Sequence, residues 1–299
     1  MGSKRRISER KIFKTFSSWI ADVLTIGYLA RVNKISRQTL SKRFSVYLNN
    51  PPTPQEYFRK LIKERCVNFS GFLLIDGKWF GKTRCLIVYK DTKEGIILWR
   101  FSKGEYLEEI KSDLEFLIEN GYPIKGVTSD GSPGLISAVD SLNIPRQRCL
   151  VHLQLSIERL TTKNPKTDAG KDILLWSKSL NQIENDYHKK IMKSWFKRIY
   201  LRHKIFLKEK SHGVSEKTGR KTWWYTHRYL RKAFRSVINA RRNLFTYLKI
   251  PDMPKDTNGL EGYFSQLKTM VNRHRGLERG KKENLIAWMF WLDKFSHKP

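Results

Sequence analysis

Apolar residues recur along this chain in two rhythms, and each change of rhythm marks a new element. From 26 to 48, Leu29, Ala30, Ile35, Leu40 and Phe44 fall at helical spacing interrupted by a turn, which predicts a pair of helices. Ser36 stands where a capping residue opens the second helix, and Ala30 gives the small contact two crossing helices need. Lys34 holds the turn position that usually takes glycine, a departure from the pattern, although lysine can adopt the left-handed conformation at modest cost. The pattern is that of a helix-turn-helix whose groove-facing residues are Arg37, Gln38, Ser41 and Lys42. An ordinary helical hairpin with a basic solvated face is the alternative.

The prolines of Asn49-Asn50-Pro51-Pro52-Thr53-Pro54 cannot continue that helix and set a boundary near residue 54. A short helix ending near Cys66 follows, then three apolar runs at 71–80, 84–90 and 95–101 that read as an antiparallel meander. Leu107, Ile110, Leu114, Leu117 and Ile118 return to the helical period within 105–120, closed by Gly121. A strand at 124–129, a helix at 134–142 and a strand at 148–151 running into a helix from His152 complete the series. The order β-β-β-α-β-α-β-α is that of a ribonuclease H-like α/β fold, a mixed five-stranded sheet with flanking helices. From 161 to 250 the pattern turns helical, basic and tryptophan-containing, reading as an all-α insertion before a last helix near Asn258. The expected parts are 1–54 (helix-turn-helix and linker), 55–163 (first part of the α/β domain), 164–250 (insertion) and 251–299 (its remainder).

Composition narrows the partners. Among 299 residues, 39% are apolar, enough for a core, but the formal charge is +31. A field that positive repels itself unless a polyanion is the usual partner, and nucleic acid is the simplest one. Clusters such as Lys4-Arg5-Arg6 and Arg241-Arg242 are spread along the chain, so charge alone locates no face. Cys66, Cys85 and Cys149 form neither a CxxC pair nor an even disulfide framework. No apolar signal core opens the chain, and the apolar stretch at 285–292 is too short for a bilayer. A soluble cytoplasmic protein, nucleoid-associated if prokaryotic, is expected, with no membrane partner.

Asp76 ends the apolar run Phe72-Leu73-Leu74-Ile75, and Asp130 ends Gly126-Val127-Thr128-Ser129. On neighbouring strands the two carboxylates would repel, and a divalent cation with oxygen ligands, Mg²⁺ or Mn²⁺, would relieve them. Separate strand-end caps are the bland alternative, since Asp130-Gly131-Ser132-Pro133 also makes a good turn. Further on, Thr257-Asn258-Gly259-Leu260-Glu261 reads as a capped helix with Glu261 in its first turn. Lys268 follows seven residues later, nearly on the same face, and a plain surface Glu and Lys is the alternative.

The ordered set Asp76, Asp130, Cys149-Leu150-Val151-His152 and Asn258-Gly259-Leu260-Glu261-Gly262 with Lys268 resembles the DDE transposases of the Mutator superfamily, including its bacterial insertion-sequence branch. The resemblance covers roughly residues 70–275. It implies a DNA transposase with Asp76, Asp130 and Glu261 as catalytic residues and ligands of two Mg²⁺ or Mn²⁺ ions. Cys149, His152 and Asn258 would support those carboxylates, and Lys268 would hold a phosphate. Its DNA would be the terminal inverted repeats of an element and a target duplex, engaged by a homodimer or higher oligomer. The N-terminal zinc ribbon of some related elements has no counterpart here. Cys149 and His152 lack the further ligands that structural zinc requires.

Three residue groups keep two readings. Trp195, Trp223 and Trp224 are expected in an apolar seam of the insertion, with stacking on a displaced base as the alternative. Arg228, Arg231, Arg235 and Arg242 form an outer stripe opposite Leu230, Phe234, Val237, Leu244 and Leu248, either phosphate-contacting or merely solvated. For the whole chain, a ribonuclease H-like nuclease or resolvase without strand transfer remains open, as does a domesticated DNA-binding regulator.

Overall fold

A computed structural model describes residues 8–22, 24–64, 67–216, 218–274 and 276–295. The Lys4-Arg5-Arg6 cluster and Cys66 lie outside them. Four helices come first: α1 (Glu9–Ala21), α2 (Ile26–Val32), α3 (Arg37–Asn49) and α4 (Pro54–Glu64). Ser36 accepts a hydrogen bond from the Thr39 N–H and caps α3, while Lys34 turns the chain at φ 53. A lysine tolerates that left-handed angle at modest cost.

The central sheet has five strands in the order β3-β2-β1-β4-β5. Its members are β1 (Phe72–Trp79), β2 (Cys85–Asp91), β3 (Gly95–Ser102), β4 (Gly126–Ser129) and β5 (Arg146–Arg148). The meander β1-β2-β3 is antiparallel, whereas β4 and β5 run parallel to β1. The helices α5 (Leu107–Glu119) and α6 (Pro133–Ser141) make the two crossovers. Phe72–Ile75 and Cys85–Tyr89 are buried throughout. Both faces of the sheet are therefore covered, which is why these strands read as continuous apolar runs rather than as alternation. Gly121, at φ 86, closes α5 as expected.

Asp91, at the end of β2, is fully buried. Its carboxylate accepts from the Ser70 hydroxyl (2.7 Å), the Tyr122 hydroxyl (2.6 Å) and the N–H groups of Ser70, Lys93 and Glu94. One side chain thereby ties the turn after β2 to the segments before β1 and after α5.

Helices α11 (Asn258–Arg273) and α12 (Arg279–Phe295) return to the sheet. Phe16 of α1 packs edge-on to Trp288 of α12 and to Phe44 of α3, and the Trp288 indole donates to the Tyr47 carbonyl. One continuous core contains Phe16, Phe44, the inner faces of β1–β3, Leu260 and Phe290. No helix among the described residues is long and apolar enough to cross a membrane.

Two expectations change. The third parallel strand is Arg146–Arg148, and helix α7 (Leu150–Thr161) already begins at Leu150. Cys149 is its N-cap, with Sγ accepting from the His152 N–H at 3.5 Å. A thiol in that role does not belong to the usual capping set, so the sequence pattern carried the strand three residues too far and opened the helix two residues late. The insertion, in turn, is not all-α. Helices α8 (Asp168–Lys178), α9 (Asp186–His203) and α10 (Arg228–Ala240) build a second core around Trp176, Phe234 and residues of α7. Between α9 and α10 lies a hairpin of β6 (Lys210–Val214) and β7 (Lys221–Tyr225). Thr222-Trp223-Trp224-Tyr225 is β-branched and aromatic, which favours a strand, but the surrounding lysines and arginines hide the alternation.

Candidate active site

Because Ile75 pairs with Ser129 across the parallel β1–β4 ladder, the next residue on each strand is an aspartate. Asp76 remains within β1, buried, with Oδ1 accepting from the Gly77 N–H. Burial pushes its carboxyl up to about 6; His152 opposes that shift, while Asp130 and Glu261 add to it. Asp130 leaves β4, and its Oδ1 accepts from the Ser132 N–H at 2.9 Å, so it also performs the turn role foreseen for it.

Helix α11 supplies Glu261 in its first turn, exposed to solvent. Helix α7 supplies His152, and the two helices meet through this histidine. Its Nε2 lies 3.5 Å from Glu261 Oε1 and 4.0 Å from Asp76 Oδ2. On the other side of the ring, Nδ1 lies 3.1 Å from the Thr257 hydroxyl and 3.3 Å from Cys149 Sγ. The hydrogen bond to Cys149 pushes the imidazole up to about 9, with Asp76 and Asp130 adding to the effect against burial. Burial raises the Cys149 thiol, but hydrogen bonds from His152 and Thr257 outweigh it and hold the thiol below its ordinary range.

Thr257 stands at the N-cap of α11, yet its side chain does not cap the helix. Its hydroxyl and N–H turn to Cys149 and His152 instead. Asn258, exposed, donates its N–H to Asp256.

Two neighbours were not anticipated from sequence. Glu105, just before α5, has its carboxyl pushed up to about 7 by burial and then by the charges of Asp130 and Asp76. Gly77 makes room for it, since a Cβ there would press on Glu105 Oε1. Arg148 lies against Gly131, beside Asp130, and its Nη1 is buried without a hydrogen-bond partner. Burial holds Arg148 below its ordinary value, with Asp130 opposing. Glycines at 77 and 131 are a weak sequence signal for such close approach, but nothing in the sequence says which side chain will use the space.

Asp76, Asp130 and Glu261 form an oxygen donor set of the kind that suits Mg²⁺ or Mn²⁺, and the upward shift of Asp76, set first by burial and added to by Asp130 and Glu261, is one that a cation would relieve. In donor chemistry the residues fit such an ion. In the present side-chain arrangement, no group of three or more His, Cys, Asp or Glu among the described residues is gathered as a ready metal site.

The remaining expected residues lie elsewhere. Lys268 lines a cleft with Lys78, Arg84, Arg279 and Lys282. Arg37, Gln38, Ser41 and Lys42 are exposed on α3, and Arg37 and Ser41 border a cleft shared with Asn272 and Arg273 at the end of α11. Arg228 and Arg235 are exposed on α10, while Arg242 lies beyond its end in a basic cleft with Lys189, Lys193, Arg241 and Lys249. Arg231 departs from the expected outer stripe. Its guanidinium sits 3.5 Å from the centroid of the Tyr225 ring and donates to the Leu207 carbonyl, holding the hairpin to α10. Leu244 and Leu248 also lie beyond α10, so the amphipathic helix is shorter than its apolar pattern suggested.

Compared with known proteins, the chain matches no family model and no curated relative.

Proposed function

We propose that the chain is a metal-dependent polynucleotidyl transferase built on a ribonuclease H-like core. Within that class we read it as a DNA transposase similar to those of the Mutator superfamily. The observation that supports this most is that Asp76 and Glu261, from a strand and a distant helix, meet at His152, while Asp130 follows the parallel neighbour strand and adds its charge to both Asp76 and His152. The strand order β3-β2-β1-β4-β5, with β1 reversed against β2, also favours this class.

Asp76, Asp130 and Glu261 would hold the metal ions, Mg²⁺ or Mn²⁺, two per site. Such ions polarise a phosphodiester and supply an acidified water or hydroxyl as nucleophile. His152, charged at neutral pH, offsets the carboxylates and orients Asp76 and Glu261 through Nε2 while Thr257 and Cys149 fix Nδ1. Lys268 and its basic neighbours hold phosphates of the bound strand, and α2–α3 reads the terminal repeats as a helix-turn-helix. Two protomers act together because two element ends must be joined.

Purified protein with Mg²⁺ should cut DNA carrying the element's terminal inverted repeats. Asp76→Asn and Glu261→Gln should bind that DNA without cutting it, and cleavage by both at the wild-type rate would overturn the assignment.

A further inference from the structure

The hairpin β6–β7 contradicts the expectation that Trp223 and Trp224 pack inside. They are 49% and 48% exposed and belong to neither core. Their contacts are confined to the ribbon itself, and about half of each indole is left facing water, outside both cores.

The register sorts the aromatic residues onto two faces. Trp223 pairs with His212, Tyr225 with Lys210, and Val214 with Lys221, so these side chains share one face. There the Trp223 and Tyr225 rings meet edge to face at 5.3 Å, and Lys210 Nζ lies 4.0 Å from the Trp223 centroid. Trp224 lies on the other face, paired with Ser211. Its benzo edge rests over Gly213, where a Cβ would come within 2.9 Å of Cη2. The absent side chain lets the indole lie along the strand.

The charge around these rings has one sign. Between 208 and 232 the chain has eight Lys or Arg against two Glu, and one of those, Glu209, is bonded to His227. Tyr229, exposed at the start of α10, carries the Arg228 guanidinium 4.7 Å from its centroid. Open aromatic rings amid unpaired cations match the two features of a single strand, base faces and phosphates. A stacked duplex offers free base faces only where it is unpaired, and an apolar protein partner would have to desolvate the cations.

We propose that the β6–β7 hairpin is a stacking element for unpaired bases of DNA, presenting Trp223 with Lys210 and Lys221 on one face and Trp224 on the other, with Arg228 following β7. The inference rests on the nucleic-acid reading above and extends it to the strand freed or frayed at the site of cutting.

The probes are fluorescein-labelled oligo(dT) of about 20 nucleotides, longer than the 4–16 nucleotides such surfaces occupy, and a blunt duplex of equal length, both in EDTA so that nothing is cut. The variant Trp223→Ala/Trp224→Ala should weaken oligo(dT) binding roughly 10- to 100-fold and duplex binding less than about twofold. The Trp223→Phe/Trp224→Phe protein should regain most of the loss. Equal weakening on both probes, or none on oligo(dT), overturns the proposal. In the wild-type protein, photocrosslinks from 5-iododeoxyuridine should fall on residues 221–229, and adducts confined elsewhere also overturn it. Because both probes are read in EDTA, stacking is measured apart from metal-dependent cutting, so a failure of either is read separately.

Discussion

His152 Nε2 stands 3.5 Å from Glu261 Oε1, joining the first turn of α7 to the first turn of α11. The glutamate is exposed and on its own would sweep solvent, and the imidazole gives it an address beside Asp76. Replacing His152 with alanine is therefore expected to lower the cleavage rate about 10- to 100-fold while terminal-repeat binding changes little. Single-turnover cleavage and binding measured on the same preparation check this; an unchanged rate would remove His152 from the site.

Asp76 and Glu105 carry carboxyl groups held above their ordinary range, at about 6 and about 7. The folded chain thus keeps protons that the unfolded chain releases, so without metal its stability should fall as pH rises from about 4 to about 7. Glu105→Gln should lose less stability than wild type over this window. Urea midpoints in EDTA at the two ends of the range give the comparison, and parallel curves would refute the buried-charge account.

Mg²⁺ should reverse that loss. A cation bound only by the folded state raises the melting temperature with the logarithm of its concentration once the site fills, and the rise should vanish in Asp76→Asn. A rise of equal size in that variant would place the ion somewhere else.

Asp91 works in the opposite direction. Burial raises its carboxyl, but hydrogen bonds from Tyr122, Glu94, Ser70 and Lys93 outweigh that and hold it below its ordinary range. Its contribution is complete above the ordinary carboxylate range and is lost as pH falls below it. Asp91→Asn should destabilise by roughly 2–4 kcal/mol at neutral pH and flatten the acid limb of the stability curve, readable by chemical denaturation.

Phe16 joins α1 to α3 and α12 in the same core as the sheet. Phe16→Ala should cost about 3–5 kcal/mol, and calorimetry should still give one transition for α1–α3 and the sheet. Separate melting of the first three helices would show that they are not held as one body with α12.

The strands were legible because a sheet covered on both faces writes its members as unbroken apolar runs, and Phe72–Ile75 and Gly126–Ser129 end in acids that cannot belong to such a run. The α2–α3 pair was legible from Ala30, Lys34 and Ser36, each of which takes the place its chemistry suggested. Other features depend on partners far along the chain. Cys149 caps a helix only because His152 and Thr257 come to its thiol. Glu105 lies in an ordinary-looking loop and gains its chemistry from strands that sequence spacing does not connect. The hairpin escaped notice because its aromatic residues point into water, so no buried face imposed the two-residue period that reveals a strand.

Cys149 and Thr257, 108 residues apart, touch through the Thr257 N–H and hydroxyl at 3.4 Å. After His152, the chain between them passes into the second core and comes back past β5, where Asn243, Leu244 and Thr246 bond Arg148, Gln147 and Arg146. Loop-closure cost grows only with the logarithm of length, so the hairpin that joins α9 to α10 can lengthen or shorten at little expense to the placement of His152 and Glu261. The sheet and the residues around His152 thus form a fixed frame, and the hairpin is a replaceable tip whose contacts can change without moving that frame.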